Sequence, residues 1–130
     1  MGTEILRLGD VRRGDVAVAG GKGANLGELL GKGFPVPPGF VVPARACEEF
    51  FQAIDLDHHI KGLDDVSSND HDQRCSAIRE IIDKADLPLE LAESIMAAHG
   101  ELVKNRGAEI VCAIRSSATA EDLRDGTCGC

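Results

Sequence analysis

Between Gly33 and Gly39 the chain reads Gly-Phe-Pro-Val-Pro-Pro-Gly, with prolines at 35, 37 and 38. No helix can cross that stretch. Proline fixes φ, lacks an amide hydrogen and pushes the residue before it out of the helical region. The run is therefore extended and stiff, and the chain must be assembled from separate elements on either side of it. On its N-terminal side, Gly31 and Gly33 can supply the left-handed residues that end a helix. On its C-terminal side, Gly39-Phe40-Val41-Val42 reads as a strand, and Pro43 suits the first turn of a following helix.

The remaining elements are short. Ile5 to Val11 has the pattern of a first strand, and Val16-Ala17-Val18-Ala19 that of a second. Gly20-Gly21-Lys22-Gly23 leads into a helix from about Ala24 to Leu30, and the helix after Pro43 carries Cys47, Phe50, Phe51 and Ile54. Asp55 to Asp72 is charged and poor in apolar residues, which predicts mostly loop with a short turn at His58-His59-Ile60. A helix from about Asp72 to Lys84 places Cys75, Ile78 and Ile82 on one face. Another starts near Pro88, buries Leu91, Ile95, Ala98 and Leu102, and ends at Asn105-Arg106-Gly107. Ile110-Val111-Cys112-Ala113-Ile114 closes the series as a buried strand. The expected class is α+β, short strands with several packed helices, in one domain over residues 1–130.

Composition narrows the function. The 130 residues are enough to bury a core, but four phenylalanines are the only aromatics, so that core is aliphatic. A formal net charge of −8 argues against nucleic acid, whose affinity rests on many Lys and Arg contacts to phosphate. No stretch nears the roughly 18 apolar residues that span a bilayer, and the N-terminus lacks the blocks of a secretory signal. The five cysteines follow no disulfide framework, and Cys47, Cys75 and Cys112 read as reduced, mostly buried thiols of a cytoplasmic protein.

Two segments carry chemistry. The first is Gly20-Gly21-Lys22-Gly23. It is not a P-loop, because Val16 stands where the first glycine belongs and Gly23 replaces the Ser/Thr after the lysine. It is not a dinucleotide fingerprint either, since Leu26 stands in place of the third glycine. The physics beneath both motifs survives. Unbulky residues with free amides at a helix N-terminus attract an anion, and Lys22 adds a full charge. The plainer alternative is a glycine turn opening an amphipathic helix, with Lys22 in solvent. Gly23, Gly27 and Gly31 recur on one face of that helix, which calls for close approach by another backbone or a ligand.

The second segment is Arg115-Ser116-Ser117-Ala118-Thr119-Ala120-Glu121-Asp122, directly after the apolar run. Arginine grips phosphate oxygens with a planar fork, and the end of a strand is where ligands collect in open sheets. A salt bridge from Arg115 to a local carboxylate is the competing account. Thr119 with Asp122 makes a plausible capping box for a further helix. His58, His59 and His71 match no zinc spacing, and Cys128-Gly129-Cys130 is too little for a metal site.

Taken in order, Gly20 to Leu29, Gly33 to Val42 and Ile114 to Leu123 match three long signatures. The chain resembles the N-terminal nucleotide-binding domain of phosphoenolpyruvate synthase and pyruvate phosphate dikinase; rifampin phosphotransferases carry a similar domain. The resemblance implies an ATP-grasp architecture, of which this chain would be the first subdomain. It implies that Lys22 and Arg115 contact ATP phosphates, with lesser contributions from Gly20, Gly21 and Ser116. It also implies a kinase-like transferase reaction, in which phosphate passes from ATP to a histidine on a separate domain and then to pyruvate or another acceptor.

Magnesium is implied for the full-length family, with its ligands in the other half of the ATP-grasp fold. Where the family continues with a Pro-Asp-Ala-Ser-Phe-Ala-Gly-like loop, this chain has Arg124 to Cys130, with Cys128 at the phenylalanine position. The expectation is thus an ATP-binding piece, inactive alone, whose partners are ATP and the missing half or other domains. The alternative is a non-catalytic module that keeps the fold and binds a partner.

Overall fold

A computed structural model describes residues 4–61, 68–107 and 109–119. Strand β1 (Leu6–Arg7) runs into a 3-10 turn at Leu8–Asp10, and a second 3-10 turn at Arg13–Asp15 leads into helix α1 (Val16–Gly31). Strand β2 (Phe40–Val41) follows, then helices α2 (Ala44–Ala53), α3 (Leu56–Ile60), α4 (Ser68–Lys84) and α5 (Leu89–Arg106). The strands pair antiparallel, Leu6 opposite Val41 and Arg7 opposite Phe40. Helices with a small two-stranded sheet make the fold α+β. Among the described residues no helix is long and apolar enough to cross a membrane.

The chain divides into two compact units, one holding residues up to Ala46 and those from Leu89 onward, the other Cys47–Pro88. In the first, Leu8, Val11, Ala19, Ala24, Ala46 and Leu91 are buried. Helix α1 packs on the two 3-10 turns. The turn before it is closed locally: the Asp15 carboxylate accepts the Arg12 amide at 2.7 Å, and the Asp15 amide donates to the Arg12 carbonyl at 2.9 Å. Arg12 also donates from Nη1 to the carbonyls of Gly9 (2.6 Å) and Val11 (2.8 Å).

The far end of α1 closes at one of the two expected glycines: Gly31 stays helical, and the left-handed residue is Gly33. Gly33 takes φ 84°, its amide reaches the Leu30 carbonyl at 3.1 Å, and the Phe34 amide reaches that of Leu29 at 3.1 Å. This is a Schellman ending, with glycine in the left-handed position. In the second unit, Phe50 and Leu56 are buried, and Phe50 and Phe51 stack at a tilt with centroids 5.8 Å apart.

Several expectations change. Val16 to Ala19 is the first turn of α1 and not a strand, because the Arg12–Asp15 turn delivers the chain already coiled. The first strand keeps only Leu6–Arg7 of the expected Ile5 to Val11. The charged stretch is more helical than its composition implies, with α3 at Leu56–Ile60 and α4 starting at Ser68; Gly62 to Ser67 lie outside the described residues. Of the four positions expected to be buried on α5, only Leu91 is fully so.

The largest correction concerns Ile110 to Ile114, which form neither helix nor paired strand, with Val111 and Ile114 exposed. A strand needs a neighbour to take its alternate amides and carbonyls, and among the described residues the sheet consists of β1 and β2. The cysteines differ too: Cys47 and Cys112 are exposed and Cys75 is half-buried, all three as free thiols.

Candidate functional site

Helix α1 is broken at Gly20, whose φ of 73° and ψ of 169° interrupt the helical path. The turn from Val16 to Ala19 stops there, and a new helical run starts at Gly21. Such a start leaves its first amides without intrahelical acceptors. Two of them are met by the second segment. The Gly21 amide donates to the Ala118 carbonyl at 3.1 Å, and the Gly23 amide donates to Ser117 Oγ at 2.9 Å. Ser117 Oγ in turn donates to the Ala19 carbonyl at 2.7 Å.

These bonds join residues 94 to 98 positions apart. They explain why position 20 is glycine: a Cβ there would overlap the Ser117 carbonyl and crowd its hydroxyl. The two segments singled out for phosphate chemistry therefore meet. Gly20 and Gly21 are buried, Lys22 is half-buried between the bonded residues Gly21 and Gly23, and Arg115 and Ser116 are exposed just ahead of Ser117.

The glycine turn thus has a different role from the one its sequence suggests. The amides of Gly21 and Gly23 serve the protein's own chain, so the turn acts as a dock for the Arg115 segment. Arg115 makes no ion pair among the described residues; Glu121 and Asp122, the carboxylates that follow it, lie outside them, and with Asp122 goes the capping-box partner of Thr119. Ser117 belongs to the hydroxyl run that follows Arg115, yet nothing in that run links it to a glycine nearly a hundred residues away.

The spaced glycines have a packing cause. At Gly27 a Cβ would overlap the Val11 carbonyl and lie 2.9 Å from the Val11 Cβ, and at Gly31 it would lie 3.0 Å from Arg12 Cζ. At Gly23 it would meet Ala19 Cβ at 3.2 Å and Val41 Cγ2 at 3.3 Å. The neighbours are protein on all three turns.

Among the described residues no group of three or more His, Cys, Asp or Glu is gathered to hold a metal ion. The donors among the described residues do not gather into a set that fits magnesium.

Residues 16–128 match the family described as pyruvate phosphate dikinase, AMP/ATP-binding domain. The chain is 43% identical over 127 residues to a probable phosphoenolpyruvate synthase of Archaeoglobus fulgidus, covering 95% of this chain and 17% of that protein. It is 41% identical over 128 residues to a probable phosphoenolpyruvate synthase of Methanocaldococcus jannaschii, covering 95% of this chain and 11% of that protein. A phosphoenolpyruvate synthase of Pyrococcus furiosus is 34% identical over 155 residues, covering 91% of this chain and 19% of its own length. The chain thus spans less than a fifth of the length of these relatives. With the match extending over most of its residues, the chain belongs to the pyruvate phosphate dikinase AMP/ATP-binding domain family.

Proposed function

We propose that the 130 residues form the first subdomain of an ATP-grasp-like nucleotide site, in which Lys22 and Arg115 hold the phosphates of ATP. The observation that carries this reading is the docking of the Arg115 segment onto the glycine turn through Ser117 and Ala118. That docking joins the segments that carry the two cations, which lie far apart in sequence. One is a compact ammonium and the other a planar fork, a complementary pair for oxygens on adjacent phosphoryl groups.

In phosphoryl transfer most of the catalytic effect comes from placing positive charge where charge builds on the transferred group. Lys22 and Arg115 supply that charge, and the hydrogen bonds beneath them hold it in position before ATP arrives. The later steps, transfer to a histidine on a separate domain and then to pyruvate or another acceptor, would need residues beyond those of this site. By itself the chain binds ATP weakly in the cytoplasm and transfers nothing.

The reading is tested by titrating the chain with ATP while following its backbone amides by NMR. The expected result is shifts concentrated at Gly21, Lys22, Arg115 and Ser116, reduced at least about tenfold in apparent affinity by Lys22→Ala or Arg115→Ala, the loss of one charge-assisted contact. An unchanged spectrum at millimolar ATP overturns it.

A further inference from the structure

We propose that Ser117 is a positioning residue of this nucleotide site, setting where Arg115 stands relative to Lys22. The inference rests on the ATP reading and deepens it, assigning the placement of Arg115 to one hydroxyl. A helix start is ordinarily capped by a side-chain oxygen on the residue just before it, which accepts the amide of the second or third helical residue. After the break in α1 that residue is Gly20, which has no side chain. Its third helical residue is Gly23, and the oxygen that accepts the Gly23 amide belongs to Ser117. The cap is supplied from 94 positions away.

The same hydroxyl uses its single proton on the Ala19 carbonyl, the last acceptor before the break. A hydroxyl has one donor and two acceptor sites, so Ser117 binds both sides of the break at once. With the Gly21 to Ala118 bond, three hydrogen bonds hold residues 117–118 against the turn. Lys22 lies between the two bonded amides, and Arg115 is two residues before the hydroxyl. Removing the hydroxyl leaves the segment on one backbone bond, about which it can pivot. Small misplacements of a charge-bearing group reduce its effect on a bound ligand steeply.

A cap that only stabilised the fold would affect binding independently of Arg115. A double-mutant cycle separates the two roles. ATP affinity is measured for the wild-type chain, Ser117→Ala, Arg115→Ala and the double variant, well below their melting temperatures, together with hydrogen exchange at the Gly23 amide. The expected outcome is faster exchange at Gly23 in Ser117→Ala and about tenfold weaker ATP binding, the scale of one lost hydrogen-bond anchor. The double variant then binds no more weakly than Arg115→Ala alone. Unchanged ATP affinity in Ser117→Ala, or losses that add in the double variant, overturns the positioning role while the ATP reading stands. A wild-type chain that does not bind ATP overturns both. Should Ser117→Ala fail to fold, Ser117→Cys, which keeps a weak S–H donor and acceptor, replaces it in the cycle. Weaker binding that does not add to the Arg115→Ala loss then supports the positioning role, and unchanged or additive binding overturns it.

Discussion

Gly20 and Ser117 occupy each other's space: the volume a side chain would need at position 20 is filled by the backbone carbonyl and hydroxyl of Ser117. The glycine is also held at φ 73°, where residues with a Cβ are strained. Gly20→Ala therefore incurs both strain and a clash with backbone that cannot rotate away. The expected loss is roughly 2–5 kcal/mol, combining backbone strain with overpacking. Gly33 provides the control, since its φ is 84° but nothing lies within 4 Å of a Cβ there. Gly33→Ala should cost only the strain, about 1 kcal/mol. Urea midpoints for the two variants check this, and equal losses would show that Ser117 does not fill the space.

Gly27 poses a separate test, because its conformation is helical and only the space is restricted. A Cβ would overlap the Val11 carbonyl, so Gly27→Ala must push α1 away from the preceding turn. Helix propensity alone favours alanine by about 1 kcal/mol. We expect the clash to win, with a net loss of about 1–3 kcal/mol. A variant at Gly14, where a Cβ meets nothing within 4 Å, should be nearly neutral. A stabilised Gly27→Ala would mean that α1 and the Val11 turn are not in contact.

These glycines show what could and could not be read from the sequence. The Schellman ending at Gly33, the helix after Pro43 and α5 from Leu89 follow from residues within a few positions of each other, and they were legible. The Gly23, Gly27 and Gly31 spacing announced close approach, but only the fold identifies Val11, Arg12 and Val41 as the neighbours. Lys22 and Arg115 stand out in the sequence as the cations of two separate segments. The docking of those segments depends on bonds across 94 or more positions, which no local pattern encodes. Ile110 to Ile114 misled for a related reason: an apolar run states that burial is favourable, while a strand also requires a partner to pair with. Val16 to Ala19 misled because four small or β-branched residues suit either period, and the Arg12–Asp15 turn decided for helix.

Cys47 is exposed, yet partial desolvation of its thiol, and secondarily the Glu48 carboxylate, push its pKa above the ordinary 9.0. The thiolate is the reactive form. At about pH 8, just below the ordinary thiol pKa, its alkylation should be slower than that of a cysteine in an unfolded peptide, and the gap should close as pH rises past the shifted value. Glu48→Gln removes only the lesser cause and should recover a minor part of the rate. Mass-spectrometric alkylation rates resolved by site decide it; a Cys47 that reacts faster than the peptide contradicts the assignment.

Glu28 couples α1 to the turn before it, and its protonation should be felt in acid. Its Oε2 accepts the Arg13 amide at 3.2 Å, and its Oε1 lies 3.3 Å from the Lys32 ammonium. The Arg13 bond first, then the Lys32 hydrogen bond and the nearby Lys32 and Arg12 charges, hold its pKa below the ordinary 4.5. A carboxyl whose folded pKa is depressed binds its proton less readily in the native state than when unfolded. Its contribution to stability is therefore complete above the unfolded value and is lost as pH falls through the lower folded one. Glu28→Gln cannot titrate, so the wild-type advantage over this variant should be constant from about pH 7 to 5 and shrink progressively below about 4.5. Paired urea melts at about pH 7, 5, 4 and 3 measure that difference directly, with the remaining acidic residues common to both chains. A gap that stays the same at the lowest pH would mean the Arg13 amide and Lys32 do not favour the ionised form.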